Sequence, residues 1–323
     1  MKTPVLQIIL LLTVNFCFSI AVFSQTINSN ERKKLKEKED TLKHLAKSMI
    51  VDSLTAERMR TDSLFIRTLV RALQVKNSFY YPFDSVKGIS KLYAPDSSFK
   101  IFSWILRYDD YYSRQRAAIQ FKTADGSLKL IPLKDNSEFT AFPEDSVRTK
   151  DSWIGAVYYK IIQTQHNKKN YYTLFGFDEN AVMSTKKWID VLHFSEKGEP
   201  LFGGPLFSFE EDSIKKPTQF RYSLEFKKDV RTLVDYDEDL KMIVFDHLIS
   251  ETEEPQNKWT YIPDGDYEGF KWLNGRWIHV DKVFTQKLED GKFPIPKPIK
   301  DNKGNNNEQM LKEQSNKNML IKN

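Results

Sequence analysis

Residues 171–209 read YYTLFGFDENAVMSTKKWIDVLHFSEKGEPLFGGPLFSF, the densest run of strand and turn signals in the chain. Tyr171, Thr173, Phe175 and Phe177 alternate with their neighbours, the period of a strand with one buried face. Trp188 to Phe194 is a second strand candidate and Leu201 to Phe209 a third. Polar turns at Asp178-Glu179-Asn180 and Glu196-Lys197-Gly198 separate them. Short polar connections between such strands specify an antiparallel meander. Nothing in the stretch has a recognisable catalytic pattern.

The same style extends outward in both directions. Strands are expected at 99–108, 117–123, 128–133, 153–164, 206–209, 220–227, 242–249, 267–273 and 276–280, besides those at 171–177 and 188–194. No helix-length spacer lies between them, which excludes parallel αβ units. Two hairpins are registered residue by residue. Around Asp125-Gly126, Thr123 is expected to face Leu128 and Phe121 to face Leu130. Around Asn274-Gly275, a strong two-residue turn signal, Leu273 faces Arg276, Trp272 faces Trp277 and Phe270 faces His279. The fold class expected is mainly β: an antiparallel meander domain, barrel-like or small propeller-like because closure removes exposed edges, preceded by a short α-helical segment.

Four segments follow from composition. Residues 1–24 read as a secretory signal peptide: Lys2, a mostly apolar run from Val5 to Phe23, then Val22-Phe23-Ser24 before Gln25. The alternative is a retained anchor, since the run is near spanning length. Cys17 is the only cysteine, and bulky Phe16 and Phe18 flank it, which argues against a lipid anchor. After cleavage no disulfide, thiolate or cysteine-ligated metal is possible. Residues 25–78 are helical in character, with no Gly or Pro from Thr26 to Asn77. Asp52-Ser53-Leu54 and Asp62-Ser63-Leu64 mark caps or breaks that divide the segment into two or three helices, or weaken one long one. Residues 79–289 form the β domain, which holds most aromatics and is expected to fold without its flanks. Residues 290–323, rich in Pro, Asn, Lys and Gln, read as a disordered tail.

Function classes are mostly excluded. A formal net charge of +5 over 323 residues, with both signs interleaved, shows no basic face for nucleic acid. There is no Gly-x-Ser-x-Gly elbow, His-Glu-x-x-His or phosphate-cradling loop. Asp235, Asp237 and Asp239 imitate the start of a calcium loop, but Leu240 stands where that loop needs Gly. They read as a charged turn. His193, His247 and His279 lie in strand-like runs without the spacing of a zinc site. Glu210, Glu211, Asp212, Asp264, Asp266 and Glu268 qualify by type for paired-carboxylate chemistry, yet each reads first as a solvated turn residue. Tyr267, Phe270, Trp272 and Trp277 are the candidate binding residues, as a sugar-stacking surface; packing of the hairpin on its neighbours is the plainer reading.

Residues 171–207, then KMIVFDHL (241–248) and YIPDGDYEGFKWLNGRWIHV (261–280), resemble a group of exported proteins of Bacteroidetes without assigned activity. The resemblance runs from Tyr80 to Val280 and implies export from a Gram-negative cell. It implies no catalytic residue. The expectation is therefore a periplasmic or secreted, non-catalytic envelope protein binding a partner protein or a glycan. It has no cofactor, no metal, no nucleic-acid partner and no stable membrane span after signal cleavage. The rival is a hydrolase acting on an extracellular polymer.

Overall fold

The computed structural model describes residues 26–109, 111–284 and Lys312. The expected signal peptide and, Lys312 apart, the expected tail lie outside the described residues. The chain divides into two compact units after Val283, and the fold belongs to the first.

Two helices open it, α1 (Ser29–Val51) and α2 (Thr55–Leu73). Asn28 caps α1 by accepting from the Glu31 N–H at 2.8 Å, while Glu31 reaches back to the Asn28 N–H, a reciprocal capping box. Leu35, Leu42, Ala46 and Met49 form the buried stripe of α1. The break falls at Asp52, whose side chain accepts from the Leu54 N–H. No second break occurs at Asp62. That residue lies buried inside α2 and accepts the Trp104 indole N–H at 2.9 Å, with the Arg116 guanidinium 3.3 Å away.

Three sheets follow. The first comprises β1 (Ser90–Tyr93), β2 (Phe99–Arg107), β3 (Ser113–Phe121) and β4 (Lys129–Leu133), paired in sequence order. The second contains β5 (Arg148–Thr149), β6 (Val157–His166), β7 (Lys169–Asp178), β8 (Ser184–Phe194) and β9 (Pro200–Phe202), in the order β5-β9-β8-β7-β6. The third contains β10 (Phe207–Ser208), and β11 (Tyr222–Lys227) adds to β8 of the second. β12 (Val234–Asp237), β13 (Met242–Ser250), β14 (Tyr261–Leu273) and β15 (Arg276–Val280) complete the third, in the order β10-β15-β14-β13-β12. All pairings are antiparallel except the short β10–β15 contact. The fold class is thus mainly β with antiparallel sheets behind two helices. The sheets do not close into a barrel. Their faces are covered by stacking instead.

Stacking is written in the parity of the strands. On β2, Phe102, Trp104 and Leu106 pack under the helices, whereas Phe99 and Ile101 face the second sheet. On β7 and β8, Tyr172, Leu174, Trp188 and Leu192 face the first sheet; Phe175, Ile189 and Val191 face the third. The opening stretch is therefore an inner layer with two buried faces, not the one buried face its alternation suggests. Phe177, at the end of β7, is partly exposed instead of continuing the buried row.

The Asn274-Gly275 hairpin has the expected register, Trp272 opposite Trp277 and Phe270 opposite His279, with both turn residues at positive φ. The Asp125-Gly126 hairpin does not. Phe121 pairs with Lys129, one residue off, and the strands stop short of a two-residue turn. Local bonds explain this. Asp125 accepts from the Ser127 N–H and hydroxyl, and the Gly126 carbonyl accepts the Asn77 N–H, tying a wider loop to the helical segment.

Candidate functional site

The proposed sugar-stacking hairpin is mostly core. Phe270 and Trp277 have 0% exposure, so neither presents a face to solvent. The Trp277 indole N–H donates to Thr173 Oγ1 at 3.2 Å, fastening β15 to β7. Trp272 is half-buried, its ring 5.1 Å from that of Trp277 and 5.8 Å from that of Tyr171. Tyr267 is half-buried on the same strand. Phe270, Trp272 and Trp277 form no open platform, because a hairpin laid on the second sheet buries the side those rings occupy, and Tyr267 lies on the opposite face of β14.

Three of the acids singled out by type do converge, around two of the histidines. His279 is buried, with Nδ1 2.9 Å from Asp212 Oδ1 and Nε2 2.9 Å from Glu268 Oε2. His247 places Nδ1 2.8 Å from Asp264 and Nε2 3.6 Å from the other oxygen of Glu268. With a carboxylate at each nitrogen, His279 can donate from both only as the imidazolium. Burial works against that charge. The bonds and charges of Glu268 and Asp212 outweigh it and hold the pKa above the usual histidine value. Glu210 faces Arg276, and Asp266 faces Lys282, as surface pairs. His193 stands apart beside Tyr171. Among the described residues, no three His, Cys, Asp or Glu side chains are arranged to hold a metal ion. Asp237 caps its own turn, accepting from the N–H groups of Asp239 and Leu240.

The most ligand-like place lies elsewhere, where β3 begins, β4 ends and the β7–β8 turn closes. A cleft of about 340 Å³ is lined there by Tyr112, Arg114, Gln115, Asp135, Glu138, Asp178, Asn180, Lys186 and Trp188, among others. The base is rigidly wired. Gln115 donates its backbone N–H to Asp135 at 3.0 Å and its side-chain amide to Asp178 at 2.7 Å. Asp135 also accepts from the Ser137 N–H and hydroxyl, and Ser137 accepts the Gly155 N–H. Gly155 is required by proximity: a Cβ there would stand 2.6 Å from the Asp135 carboxyl carbon. Burial pushes the Asp178 carboxyl above its ordinary value, partly offset by the Asn180 N–H and the Lys186 charge.

Two further features belong to the cleft and its surroundings. Trp188 is 4% exposed and its indole N–H is buried without a hydrogen-bond partner. It faces the Asp178 carboxylate closely enough to lower that group's pKa, in a geometry outside the ordinary hydrogen-bond range. A buried donor left unmade costs roughly 1–3 kcal/mol. The loops beside the cleft also present Tyr111, Phe139 and Phe142 at 70%, 74% and 72% exposure. Each is a chain neighbour of residues that line the cleft, Tyr112, Glu138, Thr140, Ala141 and Pro143. The sequence signal was present in 111–113 and 137–145, where aromatics interrupt Ser, Glu, Thr and Asp outside any alternating strand. It was outweighed by the stronger hairpin pattern at Trp272.

A scan of protein-family models, a search of curated proteins and a search of solved structures each find no match.

Proposed function

We propose that the chain is an exported, non-catalytic envelope protein of a Gram-negative cell that binds a glycan in the aromatic-flanked cleft. The observation that carries this is the Trp188 indole N–H, left beside Asp178 without a hydrogen bond of ordinary geometry, among the acceptors and donors of Asp135, Asn180 and Arg114. A sugar hydroxyl both donates and accepts, which suits a lining of mixed polarity. Tyr111, Phe139 and Phe142 supply ring faces for the apolar side of a pyranose. Absence of catalysis belongs to the same proposal: the convergent acids at His279 are locked onto that ring as its hydrogen-bond partners.

A glycan array with the full chain tests it, alongside Trp188→Phe and Phe142→Ser. Trp188→Phe removes the donor and keeps most of the ring volume, so a fivefold to tenfold loss of affinity is expected, about 1 kcal/mol. A blank array, or binding indifferent to both substitutions, overturns the reading. A protein captured through Phe139 and Phe142 without any glycan would replace it with a protein partner. Shortened products released from a bound polymer would turn it into a hydrolase. Export is checked separately: intact mass of the secreted chain should begin at Gln25.

A further inference from the structure

A second cleft, of about 430 Å³, adjoins the first. Its lining includes Glu144, Lys186, Tyr222, Glu225, Tyr261 and Glu268. Lys186 lines both clefts, and Pro143 of the first is followed in the chain by Glu144 of the second. The wall between them is a bonded unit rather than a loose ridge. Asn180, in the first cleft, donates to Glu225 of the second at 2.8 Å. Ser184 donates to the same oxygen at 2.6 Å, and the Lys186 ammonium lies 3.4 Å from the other. Glu144 is likewise fixed, accepting the Ser223 hydroxyl at 2.9 Å.

We propose that the two clefts are one groove for an extended neutral oligosaccharide, threaded over Lys186 from the Trp188 end to the Tyr222–Glu268 end. This rests on the glycan reading of the first cleft and adds chain length to it. Three observations carry it. Each cleft separately lies in the roughly 300–1,000 Å³ range of small-ligand pockets, so two that meet at Lys186 exceed what a single sugar needs. Both linings mix acids with Lys and Arg, Glu144, Glu225 and Glu268 against Lys186 and Lys258 in the second, so neither end selects a strongly charged chain. Tyr261 brings an aromatic ring to the second cleft, where the Lys258 ammonium stands 4.2 Å from its centroid. Glu268 enters with one oxygen held by His279, which fixes its carboxylate at the groove's far end. Linked subsites gain affinity because the second contact is intramolecular.

The experiment is isothermal titration of the full chain with cello-, xylo- and chito-oligosaccharides of two and six units. The expected result is a hexamer bound at least tenfold more tightly than the dimer of the same series. In Tyr261→Ala, and in the exposed Lys258→Ala as a variant that leaves the core alone, that ratio should fall towards one. Thermal unfolding of both variants confirms that they fold. A series in which dimer and hexamer bind equally, or a length advantage unmoved by both variants, overturns the groove and leaves the single cleft standing. Failure of every series at both lengths overturns the glycan reading on which the groove rests.

Discussion

At the scale of residues, the Trp272–Trp277 pair separates packing from display. Trp277 is fully buried and bonded to Thr173, so Trp277→Ala should cost roughly 3–5 kcal/mol, read as a lowered midpoint of denaturant unfolding. Trp272 is half-buried, and Trp272→Ala should cost clearly less. Equal losses, or none, would contradict the burial. This pairing was legible in the sequence because Asn274-Gly275 fixes register by backbone conformation alone. The Asp125-Gly126 register was not legible, because its geometry is decided by Asn77, 49 residues away in sequence. His279 supplies a pH test. Its folded pKa is raised by Glu268 and Asp212, so its contribution is fully present below the unfolded value of about 6.5 and is lost as pH rises through the folded value. The stability gap between wild type and His279→Gln should therefore narrow from pH 6 to pH 9, at no more than about 1.4 kcal/mol per pH unit. A gap that widens with pH would mean that His279 is held neutral.

At the scale of elements, strand existence was legible wherever apolar residues alternate or run together, which covers β2, β3, β4, β6, β7, β8, β10, β11, β13, β14 and β15. The Leu201–Phe209 candidate is split into β9 and β10 on different sheets, and the short strands β1, β5 and β12 were not expected; each is too short to signal itself and pairs with a longer neighbour or, for β5, with β9. The candidate cleft was illegible for a related reason. Gln115, Asp135, Asp178 and Trp188 come from four separate stretches, and only stacking of the first sheet on the second brings their ends together. α2 and β2 illustrate how elements are joined. Asp62, read from sequence as a helix break, is the buried acceptor that locks α2 to Trp104. Asp62→Ala leaves the indole N–H unpaired and should destabilise by about 1–3 kcal/mol. Asp62→Asn keeps an acceptor oxygen and should recover most of that loss. If both variants unfold at the same denaturant concentration, the bond to Trp104 does not hold the helix.

At the scale of the whole molecule, the layers share cores rather than owning them. The sequence suggests that the β region folds without its flanks, since it holds most of the aromatics. The packing assigns the helices a different part. Leu42, Met49, Phe65 and Leu69 close over Phe102, Trp104 and Leu106, so one face of the first sheet is covered by α1 and α2. Without them that face would expose a contiguous apolar patch, an aggregation liability for a sheet. Lys100 sharpens the case. It is buried on the same face, its ammonium held by the carbonyls of Phe79 and Tyr81, and burial lowers its pKa to about 7. The Phe79, Phe83, Tyr93 and Phe102 rings surround that ammonium, all from the chain that follows the helices. Limited trypsin digestion of the full chain should therefore yield a resistant fragment that retains both helices, uncut between α1 and Phe79. A chain starting at Phe79 should bind a hydrophobic dye and lose its cooperative unfolding transition. A resistant fragment starting near Phe79, with a melting temperature equal to that of the parent, would show instead that the sheets stand alone and that the helices only dock on them.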